Sequence, residues 1–216
     1  MARRTKEEAL ETRNLILDTA ERIFFENGVS HTSLADIAQA ASLTRGAIYW
    51  HFKNKCDLFT AMVDRELLPL DELLEGPFDA RENNPLQRLR DILVDCLRDV
   101  MRNPRRRTII EILLFKWEHT PDMQPIIDRK RINVRLSIER MGRGLENAVT
   151  KGQLPVGLDT QRAARILHGL IVGVMQDHLL LPGSFDMEKE ASRLIDGYLD
   201  MLRFSPSLCR ENPLPV

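Results

Sequence analysis

The 216-residue chain is predicted to fold as an all-α protein of roughly nine helices. Three observations carry that expectation. No segment alternates apolar and polar residues over the length of a strand. Helix-start residues (Ser33, Thr44, Asn54, Asn103, Asp159 and Asp186) recur ahead of apolar residues at three- and four-residue spacing. Helix stops, namely Gly28, Gly152 and the run Leu181-Pro182-Gly183, stand where those patterns end.

The first helix is predicted from about Glu7 to Asn27, with Ile16, Leu17, Ala20, Ile23 and Phe24 on one face. Thr32-Ser33-Leu34-Ala35-Asp36 opens a second. Ser33 is its N-cap, Asp36 stands at N3, and Leu34, Ile37, Ala38 and Ala41 form its buried face. Ser42-Leu43 makes a turn, and Thr44 caps a third helix whose Ile48 and Phe52 face inward. Two short helices so closely joined read as a helix-turn-helix, whose second helix enters the major groove of DNA.

Asn54, with Asp57 at N3, caps a fourth helix through Leu58, Phe59, Met62 and Glu66, which Pro69 is expected to kink or end. It starts at the helix-turn-helix and is the natural mechanical link to the second half of the chain. Glu75-Gly76-Pro77 and Glu82-Asn83-Asn84-Pro85 mark a polar loop before a helix from about Leu86 to Met101. Asn103-Pro104 starts the next, through Ile109, Ile110, Leu113, Leu114 and Trp117; Thr120-Pro121 opens a long one toward Lys151-Gly152. Asp159 and Asp186 begin the last two, the second ending near Phe204-Ser205-Pro206. The expected division is a DNA-binding domain over 1–54 and a helical domain over 55–216.

Composition narrows the function. Net charge is -1, so DNA affinity has to come from local groups, with Arg3, Arg4, Lys6, Arg45, Lys53 and Lys55 as candidates. That balance favours a sequence-specific binder over a histone-like coat protein. Cys56, Cys96 and Cys209 are odd in number and widely spaced, which suggests neither a zinc site nor a disulfide framework. Cys56, beside Lys55 in a first helical turn, is either a reactive thiol or an ordinary helix residue. There is no nucleophile–base pair and no metal-ligand spacing, so no catalytic residue, metal or cofactor is expected. No signal-peptide pattern and no bilayer-length apolar run is present, which points to the cytoplasm and away from a membrane partner. Arg105-Arg106-Arg107 reads as a solvated helix face or an interdomain salt bridge rather than a DNA contact.

The segment Thr44-Arg45-Gly46-Ala47-Ile48-Tyr49-Trp50-His51-Phe52-Lys53-Asn54-Lys55 carries the chemistry. Arg45 can donate two hydrogen bonds to guanine O6 and N7, with a phosphate contact as its other use. Gly46 lets the backbone approach DNA closely. Tyr49, His51 and Lys55 can reach phosphate oxygens, Lys53 adds charge, and Trp50 is partly structural. Thr32 and Ser33 can donate to phosphate as well as cap.

That segment closely resembles the TetR family of bacterial repressors. The opening Arg3-Arg4-Thr5-Lys6-Glu7-Glu8-Ala9 with Glu11-Thr12-Arg13 narrows the resemblance to the AcrR-like branch, which controls multidrug efflux pumps. It continues at Glu111-Ile112-Leu113, Gly152-Gln153-Leu154-Pro155 and Asp200-Met201-Leu202-Arg203. Ser42 departs from the family's usual glycine, at about 1 kcal/mol if the turn is left-handed.

The resemblance implies a homodimer formed through the last two helices as a four-helix bundle. The stripes concerned are Ala163, Ile166, Leu167, Leu170, Gly173, Val174 and Met175, then Ala191, Leu194, Ile195, Tyr198 and Leu202; plain core is their other reading. A dimer reads a pseudo-palindromic operator in double-stranded DNA, because one recognition helix spans too few base pairs. Leu93, Leu97, Ile110, Leu113, Leu114, Trp117, Met141, His168, Ile171, Val172 and Met175 would by themselves read as core. The resemblance instead implies a cavity among them for bulky cationic or aromatic drugs, with Glu66 and Glu111 as acidic groups. Trp117 stands where close relatives often have cysteine, and Ile110 and Leu114 replace more polar residues, implying a more apolar pocket. The expected function is a repressor of a drug-efflux operon released by a drug-like inducer. The alternatives are a regulator of a metabolic operon or of its own gene, and a structural nucleoid protein.

Overall fold

The computed structural model describes residues 6–73, 79, 81–118 and 121–210. Among them run nine α-helices: α1 (Lys6–Asn27), α2 (Leu34–Ala40), α3 (Arg45–His51), α4 (Lys55–Leu73), α5 (Pro85–Arg102), α6 (Pro104–Phe115), α7 (Gln124–Thr150), α8 (Thr160–Leu180) and α9 (Met187–Phe204). The described residues form no strand; Leu158 and Cys209 make one isolated β-bridge. No helix among them is long and apolar enough to cross a membrane, and no cluster of metal-ligating side chains is present.

Local chemistry explains most boundaries. Gly28 ends α1 at φ +83, where its amide bonds Phe24 O at 2.9 Å. Asn84 and Asn54 accept from Gln87 N and Asp57 N, Pro104 follows Asn103 directly, and Asp159 and Asp186 cap α8 and α9. Of the two outcomes expected at Pro69, a kink or an end, the end does not occur: α4 continues to Leu73. Proline removes one amide donor there, yet both flanking stretches remain helical. Arg3, Arg4, Glu75-Gly76-Pro77 and Thr120 lie outside the described residues.

The chain packs as two units. One comprises 1–68 and 104–131, the other 69–103 and 132–216, so the divisions fall within α4 and α7. In the first, Ile16, Leu17, Ala20 and Phe24 of α1 meet Ile37, Ile48, Phe52, Leu58, Phe59, Met62, Ile109 and Ile112. Phe24 and Phe59 pack edge to face at 5.9 Å, and Arg13 lies 5.1 Å over Phe52. Each such buried side chain contributes about 1.5–3 kcal/mol before entropy is counted.

An ionic network joins three helices of this unit. Arg65 on α4 reaches Asp18 at 2.9 Å and Glu21 at 3.5 Å on α1. Arg105 on α6 reaches Glu21 at 2.9 Å and Glu66 at 3.1 Å, and also pairs with Asp18. The basic run is therefore not a solvated face: Arg105 makes the expected salt bridge from the 55–216 segment to the 1–54 segment, inside one packed unit, and Arg107 pairs with Glu111 at 2.9 Å. Burial pushes the Glu21 carboxyl up to about 7, against the opposing charge of Arg65 and with repulsion from Glu66 added.

A folded-state value above the unfolded one means stability is fullest below the unfolded value of 4.5 and is lost as pH rises through about 7. Wild type is expected to lose about 1–2 kcal/mol between about pH 5 and pH 8, less than the full shift would give because Arg105 bonds the same carboxylate. Glu21→Gln removes that loss and exceeds wild type in urea midpoint at the alkaline end. Identical pH slopes for both proteins would show Glu21 ionised throughout.

In the second unit α9 packs along α5, with α8 against both. Arg90 grips Asp196 at 2.5 and 2.8 Å, Arg98 reaches Glu188 O and Ser192 Oγ, and Arg102 pairs with Glu188. Tyr198 is buried and its hydroxyl donates to Ala163 O at 2.7 Å, fixing α9 on α8.

Candidate functional site

The helix-turn-helix is set by three local devices. Ser33 Oγ accepts from Asp36 N at 3.2 Å while Asp36 accepts from Ser33 N at 2.8 Å, closing the capping box. Ser33 Oγ also donates to the Asp36 carboxyl at 2.7 Å, and this bond, with that from Ser33 N, holds the carboxyl below its usual range. Between α2 and α3, Leu43 N bonds Ala38 O at 2.8 Å and Ser42 N bonds Gln39 O at 3.0 Å, around Ser42 at φ +56. The turn is left-handed at a non-glycine residue, in the place where the resembling family usually has glycine. Thr44 Oγ1 then accepts from Ala47 N at 3.2 Å and starts α3.

α3 buries Ile48 and exposes most of the residues expected to meet DNA. Thr44, Arg45 and Gly46 are exposed, Tyr49 is 58% and Trp50 71% exposed, and His51 is half-buried against Trp50. Two neighbouring aromatics this open are unusual for a surface without a partner. A Cβ on Gly46 would meet only Thr44 Oγ1 at 3.9 Å. The protein's own packing therefore does not require glycine there.

Beside α3 lies an open concavity of about 380 Å³ lined by Ser30, His31, Thr32, Ser33, Leu34, Tyr49, Lys53, Asn54 and Lys55. It gathers five of the residues expected to contact DNA: Thr32, Ser33, Tyr49, Lys53 and Lys55. Two of them are engaged locally. Thr32 is 3% exposed and its hydroxyl donates to Gly28 O at 2.7 Å, so it braces the corner instead of offering a phosphate donor. Lys55 Nζ donates to Val29 O at 2.9 Å and Ser30 O at 3.2 Å. His31 and Asn54 also line the concavity; nothing in their spacing singled them out as contacts.

The same corner is tied to the end of α6. Val29 N donates to Lys116 O at 2.7 Å, and Glu118 N donates to Ser30 Oγ at 3.0 Å. His31 Nε2 lies 3.5 Å from Glu118. Trp117 sits between those two bonds in sequence, its indole N–H held by Leu113 O at 2.8 Å. Lys130 of α7 lies 4.7 Å over the Trp117 ring.

The residues expected to face a ligand fall in both units. In the first, Ile110 is buried, while Leu113, Leu114 and Trp117 are half-buried. Glu66 is engaged by Arg105, and Glu111 by Arg107. In the second, Leu93 and Leu97 are sealed in the core, Met141, Ile171 and Met175 are buried, and His168 and Val172 are half-buried. Burial pulls the His168 imidazole below its usual range, favouring the neutral form.

The residues expected at a dimer contact also divide. Ile195, Tyr198 and Leu202 are buried within the protomer's own core. Leu170, Gly173, Val174 and Leu194 are half-buried, and Ile166, Met201 and Phe204 are exposed on the same two helices.

Comparison with known proteins matches this arrangement at both ends of the chain. Residues 16–62 match the bacterial regulatory proteins of the tetR family, and 84–204 match the C-terminal region of MAATS-type transcriptional repressors. The chain is 42% identical over 208 residues to the HTH-type transcriptional regulator TtgR of Pseudomonas putida, covering 96% of this chain and 99% of that protein. The crystal structure of NalD, the secondary repressor of the MexAB-OprM multidrug efflux pump of Pseudomonas aeruginosa, superimposes with a TM-score of 0.83 at 34% identity, covering 93% of this chain and 100% of NalD. SmeT of Stenotrophomonas maltophilia, in complex with triclosan, gives 0.83 at 31% identity over 95% of this chain and 99% of SmeT. The chain therefore belongs to the TetR family of transcriptional regulators: a DNA-binding protein and not an enzyme, which works as a homodimer.

Proposed function

We propose that this protein represses a multidrug-efflux operon and leaves its operator when a hydrophobic, drug-like compound binds beside α6. The relatives support the operon class, since NalD and SmeT are repressors of such pumps. The observation that carries the mechanism is the pair of hydrogen bonds from the α1–α2 corner to Lys116 O and Glu118 N, with Trp117 between these two α6-end partners. A compound against Trp117 acts one peptide away from the loop that carries the Ser33 cap. Any shift of that loop changes where α2 and α3 meet DNA. α4, which begins beside the same corner through Lys55, carries the change along the chain. The operator is a pseudo-palindrome with half-site centres one helical turn, roughly 34–36 Å, apart or a multiple of it.

Trp50 and Trp117 are the only tryptophans, so Trp50→Phe leaves one reporter at the proposed site. Pump substrates titrated into that protein are expected to change Trp117 emission saturably. Linkage requires each compound that weakens operator binding to bind the DNA-bound dimer more weakly by the same factor. Saturable binding without any shift in operator affinity would leave a binding site but no inducer. Silence from the whole panel would remove the efflux reading and leave a regulator with some other signal.

A further inference from the structure

The charge around Trp117 is the reverse of what a receptor for cationic drugs needs. The two acidic groups closest to that role in the sequence, Glu66 and Glu111, are each held by arginine. The ring itself already carries a cation, because Lys130 Nζ lies 4.7 Å over it. A second cation arriving at that face meets like charge.

Lys130 has the opposite deficit. Its neighbours on α7 are supplied with carboxylates: Arg129 with Asp64 at 3.5 Å and Arg131 with Asp128 at 3.1 Å. Lys130 Nζ donates to Leu113 O at 3.3 Å and stacks on Trp117, and among the described residues no carboxylate lies within ion-pair distance of it. It is half-buried, and burial pushes its pKa down, so its charge is poorly solvated where it stands. An ammonium has three donors, and the one carbonyl leaves room for more. Beside it Leu113 and Trp117 present partly accessible apolar surface. A half-buried cation without a counter-charge, beside a tryptophan fixed through its N–H, suits an aromatic ring bearing a carboxylate.

We propose that Lys130 and Trp117 form a recognition subsite for aromatic carboxylates, the ligand's carboxylate pairing with the Lys130 ammonium while its ring packs on Trp117 and Leu113. The assignment rests on the reading of Trp117 as part of the inducer site and gives that site a charge preference. Three probes of one shape separate the two ideas: 1-naphthoate, 1-naphthamide and 1-naphthylmethylammonium, each titrated calorimetrically into the full-length protein. The carboxylate is expected to bind about tenfold or more tighter than the ammonium, with the amide between them. Lys130→Met brings the carboxylate and the amide to equal affinity, whereas Lys130→Arg keeps the carboxylate's advantage; thermal melts confirm that both variants fold. Equal binding of all three probes to the wild type, or a carboxylate preference that survives Lys130→Met, overturns the charge assignment and leaves the inducer site standing. If none of the three binds, the inducer site at Trp117 falls, and the subsite with it.

Discussion

Glutamate at both Ile166 and Met201 is expected to yield a folded monomer whose specific operator affinity drops by at least about three orders of magnitude. Both side chains are 39% exposed in the protomer, on α8 and α9, so the protomer loses little packing when they change. Glycines mark the same two helices. A Cβ added at Gly169, Gly173 or Gly197 would meet nothing within 4 Å. In a lone protomer each would be better as alanine, by roughly 1 kcal/mol in a helix interior. If the partner's helices fill that space, an isologous contact doubles every buried charge introduced into it. Sedimentation should show the monomer, circular dichroism an unchanged helix content, and footprinting no protected palindrome. A double variant that stays dimeric would place the interface elsewhere. Charge at Tyr198 is a poorer test, because that ring is buried and bonded to Ala163 O, so the protomer itself would be damaged.

This difference shows what the sequence could and could not convey. Apolar residues at helical spacing marked α8 and α9 correctly, but a helix that has both a core face and a partner face carries two adjoining apolar stripes. Periodicity gives their union; only burial in the protomer separates Ile195, Tyr198 and Leu202 from Ile166, and Met201 lay outside the stripes it marked. Caps were legible because they are local: Ser33 with Asp36, Thr44, Asn54, Asp159 and Asp186 each act within three residues of their own position. The left-handed Ser42 was not legible in the chain itself; only the resemblance, with its usual glycine there, pointed to it. Nor were charges legible. Arg105 lies far along the chain from Asp18 and Glu21, and no spacing rule pairs them. Likewise nothing near Thr32 or Lys55 in sequence announces that the hydroxyl holds Gly28 O or that the ammonium holds Val29 O and Ser30 O.

Arg45→Ala is expected to erase discrimination at one base pair in each half-site. Arg45 is the first residue of α3 after the Thr44 cap, it is exposed, and among the described residues no carboxylate lies within ion-pair distance of its guanidinium. Its charge is felt by Asp36, yet its five donors stay open for bidentate contact with a guanine edge. Loss of one such contact costs about 1–3 kcal/mol, and the two half-sites of a dimer add to about 2–6 kcal/mol if they act independently. Two lysines provide the contrast. Lys53 is exposed beside the concavity, so Lys53→Ala should weaken binding to all sequences alike and lower the salt slope by about 1 per protomer. Lys55→Ala should do less to the salt slope and instead loosen the corner it holds, at about 1 kcal/mol of folding stability. Anisotropy titrations with operator and with competitor DNA, each at several salt concentrations, read all three effects together. Should Arg45→Ala reduce specific and nonspecific affinity by one common factor, with a flatter salt dependence, then Arg45 holds a phosphate and the base is read by another residue of α3.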